Sequence, residues 1–376
     1  MSHKTAKRNS SIELLRIIAM LMILAHHFIY FNRLYIMSYP ADTKRLFCQF
    51  FLESFGKVGV ALFFTITAWY FVDKEQSLKR CLQRVWLLER ELLFWSLGLL
   101  STCLLLNRST LTPTLAVRSI LPLTTQLWWY TTAYAIFLAL LPFLHVGLQR
   151  MGRVLHLGLT AVLLVIFGIL SMFPYTFKAE KVIGFIYLYI LIAAYKWYFK
   201  PLQTRTLQIL LLIGLACIVP FIALATYPPF SHIDISMYAT GEWKLPTIII
   251  AFSLFLLFER ISFHSSVINK IAKSTLAVYL ITEYPAMRDL LWNNYFNINK
   301  IYHHHYAIIY IIGSIILIYS ICTLADFIRQ AIFAFTVDRS PARWYYLLWN
   351  RFTKMNLVNK VHKIIENQTS NKPNYP

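Results

Sequence analysis

Long apolar runs alternate with short polar segments along the whole chain. The runs are mostly about 18–22 residues long, the length that an α-helix needs to cross about 30 Å of hydrocarbon. Ten runs qualify as predicted spans, at 12–31, 54–72, 85–106, 127–147, 154–173, 182–199, 207–226, 245–259, 271–291 and 305–333. The pattern therefore predicts an all-α polytopic membrane helix bundle with about ten transmembrane helices.

Composition supports the same class of protein. Of the 376 residues, 58% are hydrophobic and only 14% are charged, and the mean hydropathy is +0.56. Soluble domains average about 45–50% apolar and about 25% charged residues. The first apolar run carries Glu13, Arg16, His26 and His27. It also has no clear small-residue cleavage site, so we expect it to be a retained helix and not a cleaved signal peptide.

The net charge of +20 does not indicate nucleic-acid binding, because the basic residues sit at the ends of apolar runs and form no single patch. With the N-terminus inside, roughly two thirds of the 36 Lys and Arg residues fall on the cytoplasmic side. We therefore expect a multi-pass cell-membrane protein with both termini cytoplasmic. Residues 1–340 are predicted to form the membrane domain, and 341–376 a basic cytoplasmic C-terminal tail, mostly disordered at its end.

Polar residues interrupt the first predicted helix at a telling spacing. Arg16 and His27 are eleven residues apart, which is about three helical turns and a rise of about 16 Å. Both side chains should lie on one stripe, with Arg16 near the cytoplasmic end and His27 about mid-membrane. Glu13 precedes Arg16 by three residues and can pair with it.

Ionisable residues inside a membrane usually face a bundle interior or a wet cavity. A neutral His is suited to general-base catalysis, and an Arg at the cytoplasmic mouth is suited to clamping a phosphorylated donor. The alternatives are that Arg16 reaches the inner headgroups and that His26 and His27 are packing residues. Three ionisable residues on one otherwise apolar helix favour a functional site over packing alone.

This first helix resembles the acyltransferase family 3 membrane proteins. Arg16, ten intervening residues and His27 match the family's R-x10-H signature, and Glu13 matches the acid of its D/E-x-x-R entry into the helix. The resemblance implies about ten membrane helices and the transfer of acyl groups, usually acetyl from acetyl-CoA, onto sugars of surface polysaccharides.

Further segments resemble the same family in the same order. They are GVALFFTITAWYF at 59–71, KRCLQRV at 79–85, LWWYTTAYAIFLALLPF at 127–143 and VYLITEYPAMRDLLW at 278–292. Three residues depart from the family pattern. Thr67 and Ala68 stand where Ser-Gly is usual, and Thr282 stands where a His is common, so no second catalytic His is assigned there.

Other candidate residues lie outside the first helix. Glu283, inside a predicted span, either orients His27 or binds sugar hydroxyls, unless it forms a structural pair with a cation such as Arg288. Arg80 and Arg84, four apart on a basic inside segment, suit the phosphates of coenzyme A, or else only anchor the helix.

Aromatic and histidine clusters complete the candidates. Arg288, Trp128 and Tyr130 are candidate substrate-binding residues. The alternative for Trp128 and Tyr130 is a belt of aromatic residues at the membrane interface. The consecutive 303–305 histidines point about 100° apart on a helix and cannot converge on one ion. We therefore expect no metal site and no bound cofactor.

The expected function is that of a bacterial membrane O-acyltransferase, with catalytic residues His27, Arg16, Glu13 and Glu283. Acetyl-CoA is the expected donor co-substrate, bound near Arg16, Arg80 and Arg84, and a surface or capsular glycan or its lipid-linked precursor is the expected acceptor. Whether His27 acts as a base or carries the acyl group stays open, as does acetyl versus succinyl. The main alternative is a glycan exporter or flippase. A secondary transporter is disfavoured because no repeated halves are evident.

Overall fold

The computed structural model describes residues 9–32, 36, 38–49, 54–106, 108, 111–173, 176, 178–179, 181–229 and 241–353, and these residues contain no β-strand. The chain is an all-α polytopic membrane bundle. Its α-helices are α1 Ser10–Phe31, α2 Thr43–Phe47, α3 Phe55–Val72, α4 Leu78–Leu106, α5 Pro113–Ile120, α6 Trp129–Leu163, α7 Lys181–Tyr198, α8 Thr204–Thr226, α9 Leu245–Glu259, α10 Ser266–Ala272, α11 Thr275–Thr282, α12 Pro285–Arg288, α13 Ile298–Ile301, α14 Ala307–Phe335 and α15 Arg343–Thr353.

Among the described residues, six helical segments are long and apolar enough to cross a membrane: Ser10–Phe31, Phe55–Val72, Trp129–Met172, Lys181–Tyr198, Thr204–Leu224 and Ala307–Phe335. The 15-residue α9 is a shorter apolar helix. The remaining predicted spans correspond to the charge-bearing α4, to the second arm of α6 and to a broken segment around α11. The exact number of ten spans therefore stays a prediction.

Helix α1 lies inside the bundle, where it packs against α3, α9, α10, α11 and α14. Asn9 begins it as an N-cap, its side chain accepting a hydrogen bond from the Ser11 amide at 3.1 Å. Ser11 Oγ in turn donates to the Phe258 carbonyl at the end of α9, 2.8 Å away. These bonds satisfy polar groups that would be costly to leave unpaired in an apolar bundle.

Two glycines let α3 approach α1 closely. A Cβ on Gly56 would lie 2.0 Å from the Cβ of His26, and one on Gly59 would lie 2.7 Å from the Ala19 carbonyl oxygen. Small residues three apart lie on one helix face and allow two membrane helices to touch along their backbones. The close approach holds the histidine end of α1 against the start of α3.

The fourth and fifth predicted spans are two arms of one helical run. Gly152, at φ 76°, breaks the helical backbone within α6, and only glycine adopts this conformation readily. The second arm continues as a π-helix at Leu164–Ile169 and a 3₁₀ turn at Leu170–Met172. The break lies within the loop that the sequence predicts between the two spans.

The ninth predicted span is broken at Glu283, the candidate partner of His27. Helix α11 ends at Thr282, Glu283 caps it, and α12 begins at Pro285. Proline has no amide hydrogen and forces Tyr284 before it into an extended conformation, here φ −66° and ψ 130°. Non-helical backbone at membrane depth is tolerated where it is enclosed by protein or lines a cavity.

A buried polar network fixes the start of this broken span. The fully buried Asp326 accepts from Arg329 at 2.5 Å and from Gln330 at 2.8 Å. Gln330 also donates to Ser274 Oγ at 2.9 Å, and Arg329 lies 3.4 Å from Glu91 of α4. The network ties α4, α14 and the start of α11 together.

Part of the predicted C-terminal tail packs onto the bundle. In α15, the Tyr345 hydroxyl donates to the Lys79 carbonyl at 2.7 Å. The end of the tail, for which the sequence predicts disorder, falls within residues 354–376, which lie outside the described residues. The domain boundary at 340 stays a prediction.

We expect Gly56→Ala to destabilise the protein, because the new methyl would overlap the His26 side chain. Overpacking of this kind costs about 1–3 kcal/mol. Circular dichroism of the detergent-solubilised chain should show a lower Tm. Gly98→Ala is the matched control, since its Cβ meets nothing within 4 Å. Equal Tm values for the two variants would contradict the close α1–α3 contact.

Candidate active site

Arg16 and His27 both turn toward the interior of the bundle, three helical turns apart on α1. The side chain of Arg16 is 24% exposed and that of His27 is 14% exposed. Arg16 Nε lies 3.9 Å from a carboxylate oxygen of Glu13, and its guanidinium lies over the Phe63 ring at 5.9 Å. The single stripe predicted for this helix is therefore present in the structure.

His27 faces the acid of the broken span. Its Nδ1 lies 3.1 Å from Glu283 Oε1, and the carboxylate is only 12% exposed. The other oxygen of Glu283 lies 3.9 Å from an Arg288 guanidinium nitrogen, and Arg288 also stacks over the Phe31 ring at 5.3 Å. Glu283 therefore contacts both His27 and Arg288, the two partners that the sequence offered as alternatives.

A cavity of about 440 Å³ opens beside Arg16. Its polar lining comes from Arg16, Thr67, Tyr70, Thr131, Tyr134 and Lys273, and its apolar lining includes Phe63 and Leu276. Ligand cavities of about 300–1,000 Å³ suit small molecules and cofactors. This cavity lies toward the N-terminal end of α1.

A much narrower gap of about 20 Å³ lies beside His27. Phe63, Tyr130 and Leu276 line both this gap and the larger cavity. The two spaces therefore meet at one wall, and His27 lies at the far side of that wall from Arg16. The stripe on α1 therefore borders the larger polar cavity at Arg16 and the narrower apolar gap at His27.

The predicted donor-binding arginines occupy different surroundings. Arg84 donates to Gln76 Oε1 at 2.8 Å, and its guanidinium lies 4.5 Å from the centre of the Phe71 ring, a ring that also lines the large cavity. Arg80 is exposed in the first turn of α4. The structure therefore brings Arg84 near the cavity and leaves Arg80 on the surface.

The predicted sugar-contacting aromatics also differ from each other. Tyr130 lines both the cavity and the gap. Trp128 is buried at 1% exposure, and its indole N–H donates to the Leu280 carbonyl at 3.1 Å. This bond ties α6 to α11, two residues before Thr282, whose own hydroxyl donates to the Val278 carbonyl at 2.8 Å.

Lys273 lines the large cavity and was not among the candidates from the sequence. It lies between α10 and α11, in the polar segment that leads into the broken span. The sequence places Lys273 at a predicted cytoplasmic end of a span, which is the one feature that could have marked it as a candidate. Most lysines at such ends only anchor helices. Tyr134 and Thr131, near the start of α6, also line this cavity and were not among the candidates, since no local pattern set them apart from other residues of the span.

A family model described as an acyltransferase domain matches residues 9–325, a stretch that contains every candidate residue above. The chain belongs to acyltransferase family 3. The resemblance noted in the sequence is thereby confirmed. No curated protein and no solved structure matches the chain.

For an acyltransferase, the His27–Glu283 contact has a clear chemical use. The two atoms lie 3.1 Å apart without hydrogen-bond geometry. A carboxylate that accepts the Nδ1 proton holds the imidazole in one tautomer and leaves Nε2 as the basic nitrogen. Such a pair can take a proton from a hydroxyl and stabilise the imidazolium that forms.

We expect Glu283→Gln in this acyltransferase to slow acyl transfer on the order of 10²-fold or more, because the amide neither orients nor stabilises a protonated His27 as the carboxylate does. The measurement is kcat with a radiolabelled acyl donor. Asp289→Asn is the control, since that carboxylate is exposed. If both variants keep wild-type kcat, the contact has no catalytic role.

Proposed function

We propose that the chain is a membrane O-acetyltransferase that moves acetyl from cytoplasmic acetyl-CoA to a hydroxyl of a cell-surface or capsular polysaccharide, or of its lipid-linked precursor. The observation that carries this proposal is that the cavity at Arg16 and the gap at His27 share one wall. A polar cavity large enough for part of a cofactor-sized donor meets a narrow gap at the proposed base, through a wall shared by Phe63, Tyr130 and Leu276.

The donor enters from the Arg16 end of α1. Acetyl-CoA carries several phosphate charges and cannot cross lipid, so its site must open to the cytoplasm, where the basic-residue distribution puts the N-terminus. Arg16 and Lys273 supply positive charge inside the cavity, and Arg84 and Arg80 supply it near the cavity and on the adjacent surface. Charge-assisted hydrogen bonds from such groups suit phosphate and carbonyl oxygens of the donor.

The gap beside His27 favours acetyl over succinyl as the transferred group. A volume of about 20 Å³ holds little more than one water-sized group. A succinyl group is longer and carries a carboxylate, which would be costly to bury beside Met20, Ile23 and Val60. The small, uncharged acetyl group suits this narrow apolar gap better.

The proposed acetyl transfer needs no reactant besides acetyl-CoA and the acceptor hydroxyl. His27 Nε2 takes the proton of the acceptor hydroxyl as its oxygen attacks the thioester carbonyl, and the C–S bond breaks as the tetrahedral intermediate collapses. The coenzyme A thiolate leaves and takes the proton back from the imidazolium, while Glu283 holds the ring at Nδ1 throughout. A route through acetyl-imidazole would use the same nitrogen and would leave label on His27 when acceptor is withheld.

We expect His27→Ala to abolish O-acetylation of the surface glycan, a loss on the order of 10²–10⁴-fold. NMR of glycan from cells that express each variant, after membrane insertion is verified, measures the acetyl groups. His264→Ala is the control, because this histidine is exposed beyond the end of α9. Acetylation at the wild-type level in His27→Ala would refute the proposal, and complete loss of the glycan itself would favour the exporter.

Arg16→Ala should raise the KM for acetyl-CoA about tenfold or more while kcat changes less, because one charge-assisted hydrogen bond to the donor is lost. Initial rates at varied acetyl-CoA in detergent measure both constants. The exposed Arg153→Ala serves as the control for a lost basic residue outside the cavity. An unchanged KM would remove the donor-clamping role.

A further inference from the structure

Helix α15 follows the last long apolar helix, and much of its exposed surface is apolar. Trp344, Leu347, Leu348 and Phe352 are each between 48% and 68% exposed. Residues that are three, four and eight positions apart lie on one side of an α-helix, so these four side chains form a single face. We call it the α15 face. Nothing in the proposed acetyl transfer uses it.

The other side of α15 is attached to the start of α4. The Tyr345 hydroxyl donates to the Lys79 carbonyl at 2.7 Å, and the Tyr346 hydroxyl donates to Gln83 Oε1 at 3.2 Å. The Lys79 ammonium also lies over the Tyr346 ring, 5.0 Å from its centre. The α15 face is therefore turned away from α4.

These contacts indicate where α15 lies relative to the lipid. The apolar run of α4 is predicted to begin at residue 85, and α15 contacts α4 just before it, at Lys79 and Gln83. Asp338, between α14 and α15, instead pairs with Arg90 inside that run, at 3.1 Å. The chain therefore runs outward along α4 from α14 to α15. This course brings α15 to the level of the lipid headgroups.

Positive charge accompanies the α15 face. Arg343 and Arg351 are exposed, and α15 itself contains no acidic residue. The acid of the connection from α14, Asp338, is paired with Arg90. Arg351 lies on the same side of the helix as the apolar residues, and so long a side chain can reach the headgroups while its stem stays among apolar groups. Apolar residues with Arg or Lys are typical of helices that lie in the membrane interface.

Water is an unfavourable surrounding for the α15 face. Exposed apolar side chains within the membrane spans are solvated by lipid tails, but α15 lies beyond the predicted spans. Large exposed apolar patches usually mark a surface that binds a partner or a membrane. The bilayer that surrounds the bundle provides such a partner at the level of α15, and the arginines complement the negative charge of acidic phospholipids.

From this placement we propose that α15 is an interfacial helix on the side of the membrane where α1 and α4 begin. It inserts the α15 face into the acyl-chain region and binds the phosphates of anionic phospholipids through Arg343 and Arg351. The inference does not depend on the proposed acetyl transfer.

Quenching of tryptophan fluorescence by brominated lipids tests the insertion. The full chain and Trp344→Phe are placed in nanodiscs of phosphatidylcholine and phosphatidylglycerol, with and without brominated acyl chains, and the difference between the two proteins reports Trp344. We expect brominated chains to remove most of this emission and aqueous acrylamide to remove little. Emission that brominated chains leave unchanged would overturn the proposal, whatever covers the face instead.

Amide hydrogen exchange of residues 343–353, followed by mass spectrometry, tests the headgroup contacts. Exchange should be about tenfold slower or more in nanodiscs that contain phosphatidylglycerol than in phosphatidylcholine alone. Arg343→Gln/Arg351→Gln should lose this lipid dependence. Arg150→Gln/Arg153→Gln is the matched control, since these two exposed arginines lie at the break in α6, and it should keep the dependence. Full lipid dependence in Arg343→Gln/Arg351→Gln, or none in the wild type, would overturn the headgroup assignment.

The number of chains in each nanodisc separates a membrane surface from a second copy of the protein. Native mass spectrometry identifies preparations with one chain or two chains per disc. We expect the same slow exchange of residues 343–353 in both preparations. Slow exchange only in discs that hold two chains would make the α15 face an interface between copies, and the proposal would be wrong.

Discussion

The contact between His27 and Glu283 is the interaction on which the rest of the site depends. An imidazole and a carboxylate within a helix bundle are costly to desolvate, and here they lie 3.1 Å apart, with Arg288 3.9 Å from the other carboxylate oxygen. Two structural features bring His27 and Glu283 together. The Gly56 contact holds the histidine end of α1 against α3, and the break before Pro285 ends α11 at the residue that faces His27.

The surroundings of this pair are asymmetric along α1. A cavity of about 440 Å³ lies beside Arg16, and a gap of about 20 Å³ lies beside His27, with Phe63, Tyr130 and Leu276 lining both. The proposed function assigns the Arg16 cavity to the charged end of the donor and the gap at His27 to its acetyl group.

Much of this arrangement follows from sequence because it is local. The eleven-residue spacing of Arg16 and His27 fixes a common stripe on any α-helix, and apolar run lengths fix where helices lie. The family assignment rested on short motifs in a fixed order, and the match over residues 9–325 confirms it. Glu283 was recognised as unusual because an acid inside a span is costly, but its choice between His27 and Arg288 needed coordinates. Both contacts are present.

What sequence could not provide is convergence between distant segments. Lys273 and Tyr134 line the same cavity as Arg16, although about 260 and 120 residues of chain separate them from it. Trp128 is the opposite case, a residue that the sequence offered for the site and that the structure buries in the packing. Its place at the start of a span fitted an interfacial or sugar-facing aromatic, and its indole is instead bonded to Leu280.

The most direct test of the central claim is a double-mutant cycle on kcat with His27→Ala, Glu283→Gln and the combined variant. If the carboxylate acts only through the imidazole, the combined variant should be no slower than His27→Ala alone, because residues that act as a unit are strongly non-additive. Losses that multiply in the combined variant would show that Glu283 works independently of His27 and would contradict the catalytic pair.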